Sequence, residues 1–498
     1  MDSTKKRIQN YFSDFYKNLN EIMIGAIIIS FLLGNMFFFL DFKVVIVFSI
    51  SRLILIASVF YCAYQFLKRR KEKKVPRFLL AVWIFFFAWF LYGLVWVLFS
   101  TNRSDAISEI SCLGTNLGLM FCLGCLIDSK GKVEFALKCL KFCGIFLSIL
   151  MIVQLFTSLI FPCSRYTDPK IVRYMQSYHA PIIPTTMFNN ENDMAAFLIL
   201  IIALYFADLL FSKNGKAFAK TTAKLTLLFF SIIVINSTIS LIALALIFVV
   251  GLANAIWSNG NKDKHTQKKL CGKTLIAFAD LGVFYALIGE PIEKALRNSG
   301  HFVKISLSNL LVSWHMLPEQ NFLNSTDEFI NIVGQTTRDT LVSQLHTYTQ
   351  HQGTIFVRIN LVIQGLKIAA SHVLFGIGPN SFENYMLTHK ETTKGTNGII
   401  DPHNFWIEIL SQYGILIFIP FVILYAKMLL ELFKLQKNSF SKEKFGLFLA
   451  GVGFFFSVII PSSSIGLYPV WVVFAVLVAG ISVYSSEEAA VRKTEDCE

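Results

Sequence analysis

Runs of about 20 consecutive, mostly apolar residues recur along most of this chain, and that is the length an α-helix needs to cross the hydrocarbon core of a bilayer. About twelve such runs can be read, starting near Ile22, Val44, Phe78, Ile107, Leu140, Met194, Leu225, Ile239, Thr274, Phe405, Phe445 and Tyr468. A backbone in lipid must satisfy its own polar groups, so segments of this kind are helices. The expected fold is therefore an all-α polytopic membrane protein of about twelve spans, with one large, partly helical loop before the tenth. Of its 498 residues 54% are hydrophobic and 15% charged, which sets the chain apart from soluble globular proteins.

The formal net charge is +13, but the cations fall in short clusters between apolar runs, a pattern of membrane topology that excludes a nucleic-acid partner. KRRKEKKVPR at 68–77, the lysines around 130–141, SKNGKAFAKTTAK, NKDKHTQKKLCGK and KLQKNSFSKEK occupy alternate connections. Cytoplasmic loops carry such excess, so both termini are expected in the cytoplasm. The basic, amphipathic N-terminal stretch has no cleavage signal, and the first span is expected to be its own signal and anchor. No set of cysteines shares an outer loop, which argues against a disulfide framework. CLGC at 122–125 lies inside a span and reads as small packing residues.

Three regions follow: 1–288, with spans one to nine and an outer loop near 162–193; 289–403, a large extracytoplasmic loop; and 404–498, with spans ten to twelve and a short tail. In the large loop Phe302, Leu310, Leu311, Trp314, Phe329, Ile330, Leu341 and Leu345 recur at intervals that suit amphipathic helices. Its last third, RINLVIQGLKIAASHVLFGIGPNSF from Arg358 to Phe382, reads as an amphipathic helix to about Val373 and then a turn at Gly376, Gly378 and Pro379.

The tenth span opens as DPHNFWIEILSQYGILIFIP, from Asp401 to Pro420, and polar groups at bilayer depth are costly enough to suggest function. Asp401 would be the N-cap, Pro402 the first helical residue, and His403 and Asn404 part of the first turn. The positive end of the helix would favour a neutral imidazole, able to accept a proton. Asn404, Glu408, Ser411 and Gln412 would form one inward stripe, with Gly414 nearly below His403 for close packing. A plain cap with ordinary interhelical hydrogen bonds is the competing reading of the same residues. No acidic metal-binding motif of the D-x-D kind occurs in the outer loops.

A histidine and asparagine followed nine residues later by glycine, opening a span after a long outer loop, resembles the signature of the O-antigen ligase and O-antigen polymerase superfamily. MFNNENDMAAFLILI at 187–201, with Asn192 and Ala195 in register, and the stretch from Arg358 to Phe382 are similar to two further family segments. The resemblance covers roughly 185–420. Two positions depart from it: Leu241 stands where the family commonly has an arginine, and Ile417 where it has a second glycine.

The resemblance implies a metal-independent glycosyltransferase without cofactors in a bacterial cytoplasmic membrane. Its donor would be an oligosaccharide on undecaprenyl diphosphate and its acceptor a glycan, with a flippase and a chain-length regulator as partner proteins. It would polymerise, or ligate, repeats for capsule, exopolysaccharide or another surface glycan. His403 would be the general base and Arg358 the cation at the diphosphate, with Asn404, Glu408 and Asn192 contacting sugar. Arg52, Arg165 and Arg173 are the other cations expected on the outer face, although each alone reads first as a snorkelling or surface residue. The competing function is a flippase or other secondary transporter, with Arg52, Asp208, Asp280 and Glu408 along its path. A signalling receptor is disfavoured by the short C-terminal tail.

Overall fold

The computed structural model describes residues 19–33, 49–69, 75–100, 102–157, 184–235, 237–258, 264–289, 354–389, 396 and 399–495. Arg165, Arg173 and the apolar residues from Phe302 to Leu345 lie outside the described residues.

The helices are α1 (Leu19–Leu33), α2 (Ile50–Arg69), α3 (Arg77–Phe99), α4 (Arg103–Leu126), α5 (Lys130–Thr157), α6 (Glu191–Leu210), α7 (Gly215–Ile235), α8 (Thr238–Ser258), α9 (Lys264–Phe284), α10 (Thr354–Ser371), α11 (Phe382–Thr388), α12 (Phe405–Asn438), α13 (Lys442–Ser457) and α14 (Tyr468–Glu495). The protein is thus an all-α polytopic membrane protein. α10 and α11 cover the segment read as an amphipathic helix and a turn, and the other twelve helices overlap the twelve apolar runs. Among the described residues nine helices, α2 to α8, α12 and α14, are long and apolar enough to cross a membrane. The 16-residue α13 is short for a span. α9 is too polar, carrying Lys264, Lys268, Lys269 and Lys273 in its first half.

The centre of the bundle is α6 and α14, because these two are apolar on every side. Every residue from Met194 to Ala207 is buried, as is every residue from Val470 to Tyr484. α13 lies along α6 in the opposite direction: Gly446 sits beside Leu204 and Ala207, and Gly453 beside Ile199 and Leu200. Asn192, Ser457 and His403 therefore share one end of the bundle. The other end carries the ion pairs: Lys141 holds both carboxylate oxygens of Asp208 at 2.8 Å, Lys444 meets Glu488 at 2.8 Å and Lys130 meets Glu487 at 2.8 Å.

α12 is broken. Gly414 has φ 65°, ψ −173°, a conformation open only to glycine, which leaves a short upper piece and a lower piece of about 36 Å, enough to span. Backbone groups freed by the break cannot stay unpaired in lipid. The turn after α10 supplies their partners. Ile377 N–H donates to Ser411 O at 3.0 Å and Gly378 N–H to Gln412 O at 2.9 Å, while Ile415 N–H donates to Val373 O at 2.9 Å. The continuous tenth span expected from sequence is thus corrected to two pieces, since the glycine read as a packing residue is instead where the helix yields its hydrogen bonds to a neighbouring chain segment.

Candidate functional site

The expected start of α12 also shifts. Asp401, Pro402 and His403 precede the helix, and Asn404 is its cap. In extended backbone at φ −164°, ψ 108°, the Asn404 side chain accepts from Trp406 N–H at 3.0 Å and Ile407 N–H at 3.4 Å. Asn404 therefore spends its carboxamide oxygen on the helix. His403, with a left-handed φ of 45°, donates its backbone N–H to Ser462 O at 2.9 Å.

The segment between α13 and α14, Val458 to Leu467, is where the predicted residues meet. Arg358 of α10 donates through Nη1 to Ile459 O at 2.8 Å and through Nη2 to Ile460 O at 3.0 Å. The imidazole Nε2 of His403 lies 3.5 Å from Ser462 Oγ, while its Nδ1 is buried without a protein partner. Glu408, only 2% exposed, accepts from the Ser463 hydroxyl and, at 3.2 Å, from Ser464 N–H. The same segment is fixed from below: Trp471 Nε1 donates to Ser464 O at 2.8 Å, and Asn116 Nδ2 donates to Ile465 O at 2.9 Å. Ser463 itself is exposed, so the site reaches the surface there.

Burial and then the Arg358 charge hold the His403 imidazole down to about 4, with Asp401 pulling the other way. What favours a neutral ring here is burial beside a guanidinium, not the helix dipole invoked from sequence. Burial also lowers Arg358. At the rim, a hydrogen bond with Asp401, then burial and the charges of Asp401 and Asp105, push Glu383 up to about 7.

Other expected residues lie around this centre. Arg52 of α2, half-buried, donates from Nη2 to Tyr468 Oη at 2.8 Å, at the start of α14 and so at the same end. Asn192 is in the first turn of α6, whose cap is Asn190; the Asn190 side chain accepts from Asn192 N–H at 2.9 Å. Of the residues tied to a transport path, Asp208 lies at the opposite end with Lys141, and Asp280 accepts from Thr226 Oγ1 at 3.0 Å.

Sequence reading missed two parts of the site. Glu109 is buried two turns into α4, where it accepts from the Tyr413 hydroxyl. Next to Tyr413, Gln412 accepts from Ser381 N–H at 2.9 Å, tying α12 to the glycine turn. The serine segment was read only as a short connection poor in cations. An acid inside an apolar run is a usable signal for Glu109, the same one that drew attention to Glu408. No local signal marks the serines, because their importance comes from what three distant segments bring to them.

No family model matches this chain. It is 23% identical over 441 residues to the teichuronic acid biosynthesis protein TuaE of Bacillus subtilis (strain 168), across 87% of this chain and 78% of the relative.

Proposed function

We propose that this chain is a membrane glycosyltransferase that extends a cell-surface polysaccharide from repeats carried on a lipid diphosphate. The coarse part, a membrane protein of polysaccharide biosynthesis, is supported by similarity along most of the chain to a protein of teichuronic acid biosynthesis. The finer part is supported by one observation: a neutral histidine and a guanidinium, brought from α10 and the start of α12, converge on one exposed serine segment. That end is opposite the lysine-rich one, so lysine bias assigns it to the outer face of the cytoplasmic membrane, with both termini inside.

In this reading a sugar hydroxyl of the acceptor attacks the anomeric carbon of the donor. His403 removes the hydroxyl proton as the new C–O bond forms, the bond to the lipid diphosphate breaks, and the diphosphate leaves with that electron pair. Arg358 keeps its fork on two backbone carbonyls, leaving Nε–H and the second hydrogen of each Nη for phosphate oxygens. An arriving diphosphate offsets the guanidinium charge, which raises the basicity of the imidazole when the donor is in place. Glu408 acts through the serine segment, and Asn404 through the cap. The reaction calls for no metal, since Arg358 supplies positive charge at the leaving group. This reading takes polymerisation rather than ligation, in keeping with a relative named for teichuronic acid biosynthesis.

The break at Gly414 is the feature that favours a flippase, since transporters use broken helices to bind substrate and coupling ions. Here the carbonyls of Ser411 and Gln412 are taken up by amides of the same chain, which argues for a structural lock. Purified protein given a lipid-diphosphate oligosaccharide tests the choice. Longer glycan with release of the carrier supports the transferase, and movement between leaflets without covalent change overturns it.

A further inference from the structure

α2 and α3 each pack along α4 rather than along one another. Between them lies a groove of about 490 Å³, open to the surrounding membrane, with Val59 of α2 on one wall and Ile84 and Phe87 of α3 on the other. Its floor is α4, and two floor residues are glycines whose missing Cβ atoms matter. A Cβ at Gly118 would come 3.0 Å from Leu55, and one at Gly114 would come 3.1 Å from Phe90. Without them both walls sit close on a low floor completed by Leu117 and Phe121. One end is closed where the Phe66 and Trp83 rings meet edge to face, 6.2 Å between centroids.

Arg52 lies two turns along α2 beyond the other end. Arg52, Val59 and Phe66 are spaced by seven residues and share one face of α2, so a line of about 21 Å runs from the guanidinium down the wall to the closing ring. At its top Arg52 donates to Tyr468, whose hydroxyl donates to Cys112 at 3.3 Å. This is the end that carries His403. A slot with apolar walls, one closed end and a cation two turns beyond the other fits a long, thin, branched hydrocarbon on an anionic head.

We propose that this groove holds the polyprenyl chain of the lipid-diphosphate donor, with Arg52 at the diphosphate end. The proposal rests on the donor class given above and adds the place where the donor's tail is held. Its occupant is a prenyl chain rather than bulk phospholipid, because Arg52 lies between the groove and the site and a prenyl diphosphate brings its charge to that same level.

The test is photolabelling of the full-length protein in nanodiscs with two separate probes: a polyprenyl diphosphate and a phospholipid, each with a diazirine near the middle of its chain. The prenyl probe is expected to label peptides containing Val59 or 114–121 and to be chased by unlabelled polyprenyl diphosphate but not by phospholipid. Leu117→Trp, which fills the groove, is expected to cut that labelling at least tenfold with an unchanged melting temperature, and Ile84→Trp serves should the first variant fail to fold. His403→Ala should label like the wild type. Equal labelling by the phospholipid probe without chase would make the groove an ordinary lipid contact and overturn the proposal. Chaseable labelling at other helices overturns the groove but keeps the donor, whereas no chaseable labelling anywhere overturns both.

Discussion

Gly376 and Gly414 meet backbone to backbone, one in the turn after α10 and the other at the break in α12. A Cβ on Gly414 would strike Leu374 O and Gly376 N, and a Cβ on Gly376 would strike the backbone of Gln412 and Tyr413. Both glycines have positive φ, 65° and 70°. Gly414→Ala therefore combines backbone strain of about 1–3 kcal/mol with a clash against main chain that cannot move away. The expected outcome is a melting temperature in detergent lower by many degrees and little folded protein. A variant as stable as the wild type would mean that this contact does not hold α12 in two pieces.

Glu408 couples the upper piece of α12 to the serine segment, and its role is separable from charge. Glu408→Gln keeps an acceptor for Ser464 N–H and a partner for Ser463, whereas Glu408→Ala leaves both unmet. Each lost buried bond is worth about 1 kcal/mol. Activity and melting temperature are expected to fall with alanine and to recover substantially with glutamine. Equal losses in both variants would require a negative charge and reject the positioning role.

The helices were legible because periodic apolar runs impose the same structure wherever they occur, and the α10 helix and its Gly-x-Gly turn were legible for the same local reason. The break in α12 was not, since nothing local distinguishes a glycine that packs from one that hands its hydrogen bonds to another segment. Arg358 stood out in sequence only through resemblance and His403 as one of several polar residues at the head of a span, and their shared partner was hidden. Ile459, Ile460 and Ser462 act through carbonyl oxygens, which every residue has. Glu109 is legible as an acid inside an apolar run, but its partner Tyr413 belongs to a distant helix and has no local signal.

Arg358 is expected to tolerate lysine poorly. An ammonium keeps the charge but cannot bridge Ile459 O and Ile460 O while presenting further N–H groups to a phosphate. Arg358→Lys should lower polymer formation at least tenfold in cells containing normal amounts of inserted protein. Wild-type activity would show that only the charge matters.

Tyr413→Phe removes the hydroxyl that Glu109 accepts and leaves a buried carboxyl short of a donor. The expected cost is about 1–2 kcal/mol, toward the upper end for hydrogen bonds between membrane helices. A double-mutant cycle with Glu109→Ala, which removes the acceptor, measures it directly. A coupling energy of zero would make the pair a contact without energetic consequence.

The last prediction concerns pH. Glu383, pushed up to about 7 by Asp401, keeps a proton in the folded protein that it loses near 4.5 when unfolded. Between those values the folded state binds more protons, so the Glu383 contribution is present at low pH and is lost as pH rises through 7. His403, held down to about 4, works in the opposite sense: the unfolded ring takes a proton near 6.5 that the folded one refuses, so its contribution is lost as pH falls from 6.5 toward 4. Since the two oppose each other, the wild-type profile alone cannot separate them, but variants can. Wild type and Glu383→Gln should be close in stability at pH 5, where the protonated carboxyl resembles the amide, and wild type should fall below the variant by pH 8. For activity, His403→Ala should cost about 10²–10⁴ in turnover, and the acid limb of wild-type kcat/KM should lie well below 6.5. An acid limb at 6.5 that survives in Glu383→Gln would mean an ordinary, solvated imidazole, and the buried base beside Arg358 would have to be abandoned.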